Sequence, residues 1–337
     1  MPDNPAVTGT GRPLDDKHYE HACLLALSES GLVPTARLAG WLERAGSASA
    51  LWAKLRAASA RWSDDAVTQA ALLGWLGRLQ ALTPGGDPAW DRGPAGNDDP
   101  AWDGGPDHPP VRMVSVLDED FPDNLRRVRN RPAFVFVRGR LEDGDWRAVA
   151  VVGTRRPTPP GRAQAARWAG DLARAGVVVV SGLALGIDTE AHQAALAAGG
   201  RTIACLGTGI DVTYPPANSD LALRIARNGA CVTQFCPGTP PRRENFPRRN
   251  VVTSAMAVGT LVVEASARSG ARMQARLALE HGKRLYLPAE LVRGQEWAAA
   301  YAERPGVLVV EDAGEVVSDV DDIASTQADF TTQLRLV

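Results

Sequence analysis

Lysine is nearly missing from this 337-residue chain: Lys17, Lys54 and Lys283 are the only three among 37 basic residues. Almost every cation is therefore an arginine, a bias that a GC-rich coding sequence explains and that a phosphate-binding or base-stacking surface also suits. Cysteine is scarce too. Cys23, Cys205, Cys231 and Cys236 form no CxxC pair and no grouping with histidine, which excludes a metal site of ordinary spacing. No metal and no cofactor is expected. No apolar run approaches the roughly 18 residues a membrane-crossing helix needs, so no membrane contact is expected. The first residues, MPDNPAVTGTGRPLDD, lack a basic stretch followed by an apolar one and read as no secretory signal, which leaves the cytoplasm as the expected compartment. A net charge of −2 lends no general support to nucleic-acid binding; the placement of the arginines has to carry that argument. Paired carboxylates, a Ser-His-Asp set and a metal cluster are also absent from the candidate site, so no catalytic residue is expected and the chain reads as a non-enzyme.

What is present falls into four stretches. Residues 1–82 carry short amphipathic helical patterns at His18–Glu29, Thr35–Arg44, Ser49–Ser59 and Ala66–Leu82. Trp41, Trp52, Trp62 and Trp75 recur among Leu and Ala, as core residues of a small helical domain do. Residues 83–110 are dominated by Pro, Gly and Asp and repeat DPAWDRGP as DPAWDGGP, the composition of a flexible linker. Residues 111–312 then alternate β-branched runs with helical periodicity. Strands are expected near 112–117, 133–138, 148–153, 177–181, 202–206, 230–235, 259–264, 284–288 and 307–311. The remaining 313–337 are acidic, with Asp319, Asp321 and Asp322, and are expected to fray beyond Ala324.

The fold class that follows is α/β: an extended Rossmann-like parallel sheet with helices on both faces, preceded by a small all-α domain. In such a sheet ligands bind outside the carboxyl ends of the strands, where Gly-rich loops let a backbone approach closely and helix N-termini face anions. Gly153-Thr154-Arg155-Arg156 follows one strand and reads as a phosphate loop or as a plain turn with solvated arginines. In the next loop Ser181, Gly182 and Gly186 are the expected ligand-facing members, Asp188 is the expected helix N-cap, and His192 a packing residue. Gly207-Thr208-Gly209 begins like a dinucleotide fingerprint, but Val212 stands at its third glycine, which argues against NAD. PGTPPRRENFPRRN places Arg242, Arg243, Arg248 and Arg249 around Phe246, ahead of Asn250, a composition suited to phosphates and an unstacked base. Ser269 reads as an N-cap beside Gly270, and Arg272 shares a helix face with Arg276, pointing one arginine at the cleft.

GTRRPTPPGR, SGLALGIDTEAH, LGTGIDVTYPPAN, NFPRRN and VVEASARSGA occur in this order, and together they resemble the DprA/Smf family over roughly Val111 to Pro288. The resemblance implies single-stranded DNA as ligand, an arginine of the first loop on the DNA backbone, RecA recombinase as partner and a homodimer. It also marks departures. Pro216 and Ala217 replace a basic residue, Gln234 a glutamate, Val251 an arginine, and Arg272-Met273-Gln274 a small uncharged stretch. A nucleotide sensor or N-glycosidic hydrolase with Glu264 as its acid, or a relative with an altered ligand, are the competing readings.

Overall fold

The computed structural model describes residues 16–30, 33–58, 74–75 and 109–334. Most of the fourth helical stretch, Trp62 and the whole Trp-containing repeat lie outside them. Three helices come first: α1 (Asp16–Glu29), α2 (Thr35–Ala45) and α3 (Ala48–Ala58). Trp52 and Trp75 are buried, and the Trp75 indole donates to Glu29 at 2.7 Å. These rings are core, not a stacking platform.

A nine-stranded sheet follows: β1 (Val111–Ser115), β2 (Phe134–Gly139), β3 (Ala148–Val152), β4 (Val178–Ser181), β5 (Thr202–Cys205), β6 (Ala230–Thr233), β7 (Gly259–Val262), β8 (Arg284–Pro288) and β9 (Val307–Val310). Its order is β1-β2-β6-β5-β4-β3-β7-β8-β9, with β1–β2 and β2–β6 antiparallel and every other pairing parallel. Helices between the strands are α4 (Asp123–Arg126), α5 (Pro159–Arg174), α6 (Ile187–Ala197), α7 (Ser219–Asn228), α8 (Asn245–Ala255), α9 (Gly270–Glu280), α10 (Ala289–Gly294) and α11 (Glu296–Ala302).

Strand β3 shows why such a run is apolar throughout. Ala148 and Ala150 enter the core shared with α1–α3 and α7, while Val149 and Val151 enter the opposite one, against Trp168 and Leu172 of α5 and Ile187 of α6. Both faces are covered, so neither parity tolerates a polar residue. Thr158 caps α5 by accepting from the Gly161 N–H at 3.1 Å, with Pro159 and Pro160 in the first turn, where no intrahelical donor is lost.

The segment after Asp312, expected as an acidic tail fraying beyond Ala324, starts as a packed helix. It forms α12 (Ala313–Leu334), whose Val316 and Val320 are fully buried against the sheet. Asp319 accepts from the Tyr286 hydroxyl at 2.8 Å and from Arg284 Nε at 3.1 Å, and Asp321 pairs with Arg147 at 2.6 Å. Asp319 and Asp321 fasten the helix, while Asp322 stays exposed.

Candidate nucleic-acid interface

Strands β3 to β6 are added in one direction across the sheet and β7 to β9 in the other, so a crevice opens between the loops after β3 and β7. A cavity of about 430 Å³ lies there. Gly153, Thr154 and Arg155 line it, with Gly182, Phe246, Arg249, Asn250, Ser269 and Gly270 from the other loops. Nine of the expected positions therefore converge.

The loops hold one another in place. The Thr154 N–H donates to the Glu264 carbonyl at 2.7 Å, and the Thr154 carbonyl accepts from the Ile187 N–H at 3.2 Å. That N–H is not open to a phosphate; the Thr154 hydroxyl, which accepts from Arg156 N–H at 3.2 Å, still has its own proton to give. Gly186 has φ +85°, and a Cβ there would sit 2.4 Å from the Thr154 carbonyl oxygen, so glycine is required twice over. Its role is packing one loop on the next rather than facing a ligand.

Four expectations are corrected here. Ser181 is fully buried and donates to the Val151 carbonyl at 2.7 Å, a bond across the sheet. Asp188 does not cap its helix, whose N-cap is Gly186. It accepts from the N–H groups of Gly182 and Ala184 at 3.2 and 3.4 Å and braces the preceding loop. Burial raises its carboxyl pKa, opposed by Arg249. Arg249 is not solvated: it is 6% exposed, its Nη1 donates to the carbonyls of Gly182 and Cys205, and its Nε donates to Asn250 Oδ1 at 3.1 Å. Arg272 turns away from the cavity onto the Ala267 carbonyl at 3.3 Å, and Arg276 pairs with Glu280 at 3.6 Å. Met273 and Gln274 form the wall instead.

Gly207, Thr208 and Gly209, expected at the site, are buried and do not line the cavity; they pack the neighbouring loops. A Cβ on Gly207 would meet the Phe246 ring at 2.8 Å, Thr208 accepts at its carbonyl from Thr233 at 2.7 Å, and the Gly209 N–H donates to Thr239 at 2.9 Å. Ser269 caps α9 by accepting from Ala271 N–H at 3.2 Å.

Arg155 and Tyr214 cluster around Phe246, an arrangement only partly legible in sequence. The Arg155 guanidinium lies 5.2 Å from the Phe246 ring centre, and the exposed Tyr214 ring lies 5.7 Å from the same ring on its neighbouring loop. Arg248 repeats the motif 5.1 Å over Phe235. Arg156, Arg242 and Arg243 are exposed beside them. Tyr214 was not among the expected site residues, because a Tyr-Pro pair in a turn signals only the turn.

Two candidate acids or bases are occupied. Glu264 accepts from the Thr158 hydroxyl at 2.8 Å and from its N–H at 3.2 Å. His192 is fully buried beneath the site. Its Nδ1 contacts the Thr202 hydroxyl at 2.7 Å, and that hydroxyl donates to Val179, so Nδ1 carries the proton. Burial, with Arg249 nearby, pushes this imidazole down to about 3.

Residues 112–326 match the family described as DNA recombination-mediator protein A. The chain belongs to this family. The match runs past Pro288 and takes in α10, α11 and most of α12, further than the sequence motifs alone reached. The chain is 34% identical over 208 residues to DNA processing protein DprA of Streptococcus pneumoniae, covering 61% of this chain and 73% of that one. It is 38% identical over 173 residues to Protein Smf of Synechocystis, covering 50% of this chain but only 44% of that relative's length. The X-ray structure of the Streptococcus pneumoniae protein superposes with TM-score 0.65 at 27% identity, over 89% of this chain and 97% of that one. A DNA processing protein A from Helicobacter pylori, solved for its single-stranded DNA binding mode, superposes with TM-score 0.56 at 25% identity, over 64% and 98%.

Proposed function

We propose that this protein binds single-stranded DNA along the carboxyl edge of its sheet, without breaking a covalent bond, and delivers it to RecA recombinase as a homodimer. The observation that carries the reading is the cluster of Arg155, Phe246 and Tyr214, of which Arg155 and Phe246 line the cavity. An arginine laid on an aromatic ring offers a cation to a phosphate and a flat face to a base at once, as sequence-tolerant single-strand binding requires. Arg156, Arg242, Arg243 and Arg248 extend the cationic rim, and Gly153, Thr154, Gly182, Asn250, Ser269 and Gly270 line the cavity behind it. Arg249 serves by holding the loops. The Helicobacter pylori relative supports the ligand, and the family's description supports the recombinase as recipient.

Fluorescence anisotropy with labelled single-stranded and duplex oligonucleotides of one sequence tests this directly. Tighter binding of the single strand is expected; a preference for duplex would overturn the reading. RecA filament growth on strands coated with the stabilising single-strand protein tests the delivery step, with faster growth expected when this protein is added.

A further inference from the structure

The cavity has a cationic, aromatic mouth and an inner wall of a different kind. Gln274, from the second turn of α9, is 2% exposed and lines that wall. Its Nε2 donates to the Asn250 carbonyl at 3.1 Å, which fixes which end of the amide is which. Its Oε1 has no hydrogen-bond partner among the described residues. Asn250 beside it accepts from Arg249 through Oδ1, leaving Nδ2 as a donor. The Asp188 carboxylate adds a second acceptor to the lining.

A carbonyl oxygen taken out of water and left unpaired is costly, and native interiors hold few such groups. A partner bringing an N–H to it removes that cost, whereas a partner bringing a second oxygen adds to it. A cavity of about 430 Å³ has the volume of a small-molecule site, and the Phe246 ring in its lining suits a flat ligand.

We propose that the cavity takes one unstacked base of the bound strand, and that Gln274 makes it prefer bases with an exocyclic amino group over thymine. The inference rests on the single-strand reading above and deepens it. An amino N–H can meet Gln274 Oε1 while Asn250 Nδ2 donates to the acceptor next to it on the base edge. Thymine is the DNA base without an exocyclic amino group. Carbonyl oxygens flank its one ring N–H, so pairing that N–H with Gln274 brings a base oxygen toward the wall's own oxygens. Phosphate contacts carry no base code and stacking on the aromatic rings is unaffected by Gln274, so a preference lost with Gln274 reports on this wall.

The test compares dC20 with dT20, two pyrimidine strands that stack weakly on themselves, by anisotropy titration of the full chain. Wild type is expected to bind dC20 about fivefold or more tightly than dT20, the low end of discrimination by a paired donor and acceptor. Gln274→Leu, which removes the acceptor, is expected to bring that ratio to about one. Circular dichroism melts establish that the variant folds. Equal affinities in wild type, or a ratio that survives Gln274→Leu, would overturn the base preference while leaving single-strand binding intact. Failure to bind either strand would sink both.

Discussion

Arg249 is 6% exposed and carries its charge from α8 to the loop after β4 and the end of β5. The carbonyls of Gly182 and Cys205 and the Asn250 side chain all accept from one guanidinium, whose own pKa burial lowers. Removing it leaves those acceptors desolvated and unpaired. Arg249→Ala is expected to cost roughly 3 kcal/mol, or roughly 6–12 °C in Tm, by thermal denaturation. Phe246→Ala should behave in the opposite way. Its ring is half-buried at the mouth, so the melt should move little while single-strand affinity falls about 5- to 100-fold, the loss of one stacked base. Adjacent arginines in a Pro-rich loop give no sign of which one turns inward. Arg248 and Arg249 part only because α8 begins at Asn245 and sets their faces about 100° apart. Asp188 was equally ambiguous: a carboxylate near a helix start can serve its own helix or the loop before it. His192 gives a pH prediction. The folded imidazole, at about 3, stays neutral where an unfolded one near 6.5 takes up a proton. Stability is therefore highest above about pH 6.5 and falls by up to about 1.4 kcal/mol per unit as the pH drops toward 3. The urea midpoint of His192→Gln should change less between pH 7 and pH 5 than that of wild type; an equal change would show that the buried imidazole does not titrate as described.

Among the elements, the nine strands were the most legible part of the chain. Each is a largely apolar run of four to six residues, and both faces of the central ones are covered, so their pattern has no competing explanation. Helix α12 was hidden by its charges. Val316, Val320 and Ile323 recur at helical spacing, yet Asp319, Asp321 and Asp322 between them gave the stretch the look of a solvated tail. The partners that make Asp319 and Asp321 structural, Tyr286, Arg284 and Arg147, lie far away in sequence. Burial raises the Tyr286 phenol further out of the titrating range, with Asp319 adding to the shift, so the bond keeps its proton on tyrosine. Ending the chain after Asp312 would uncover Val310, Tyr286 and the α5 flank, and such a protein is expected to aggregate or to melt at least 10 °C lower, by roughly 2–4 °C per kcal/mol. Tyr286→Phe is the gentler test: about 1–2 kcal/mol, read as a shift in the denaturation midpoint.

At the scale of the whole molecule the charges nearly cancel, 37 basic against 39 acidic, so attraction to DNA has to be local. The helical module and the sheet are themselves joined by opposite charges, Arg131 to Glu43 at 2.6 Å and Lys17 to Asp118 at 3.1 Å, which withdraws those cations from any ligand. With about four or five arginines left on the rim, log K against log salt should fall with a slope near −3 to −3.5, and Arg155→Ala should flatten it by about 0.7. A flat salt dependence would remove the rim from the interface. The order of the strands has one more outcome, felt before the protein exists as a folded whole. Strand β2 lies between β1 and β6, and residues 140–229 separate it from β6 in the chain. At the pace of translation that interval lasts roughly 5–20 s. Throughout it the inner margin of Phe134–Gly139 offers bare amides beside Phe134 and Phe136 to any other nascent chain. The soluble yield of this protein should therefore respond to chaperone supply during synthesis, and fragments that stop short of Ala230 should collect in inclusion bodies.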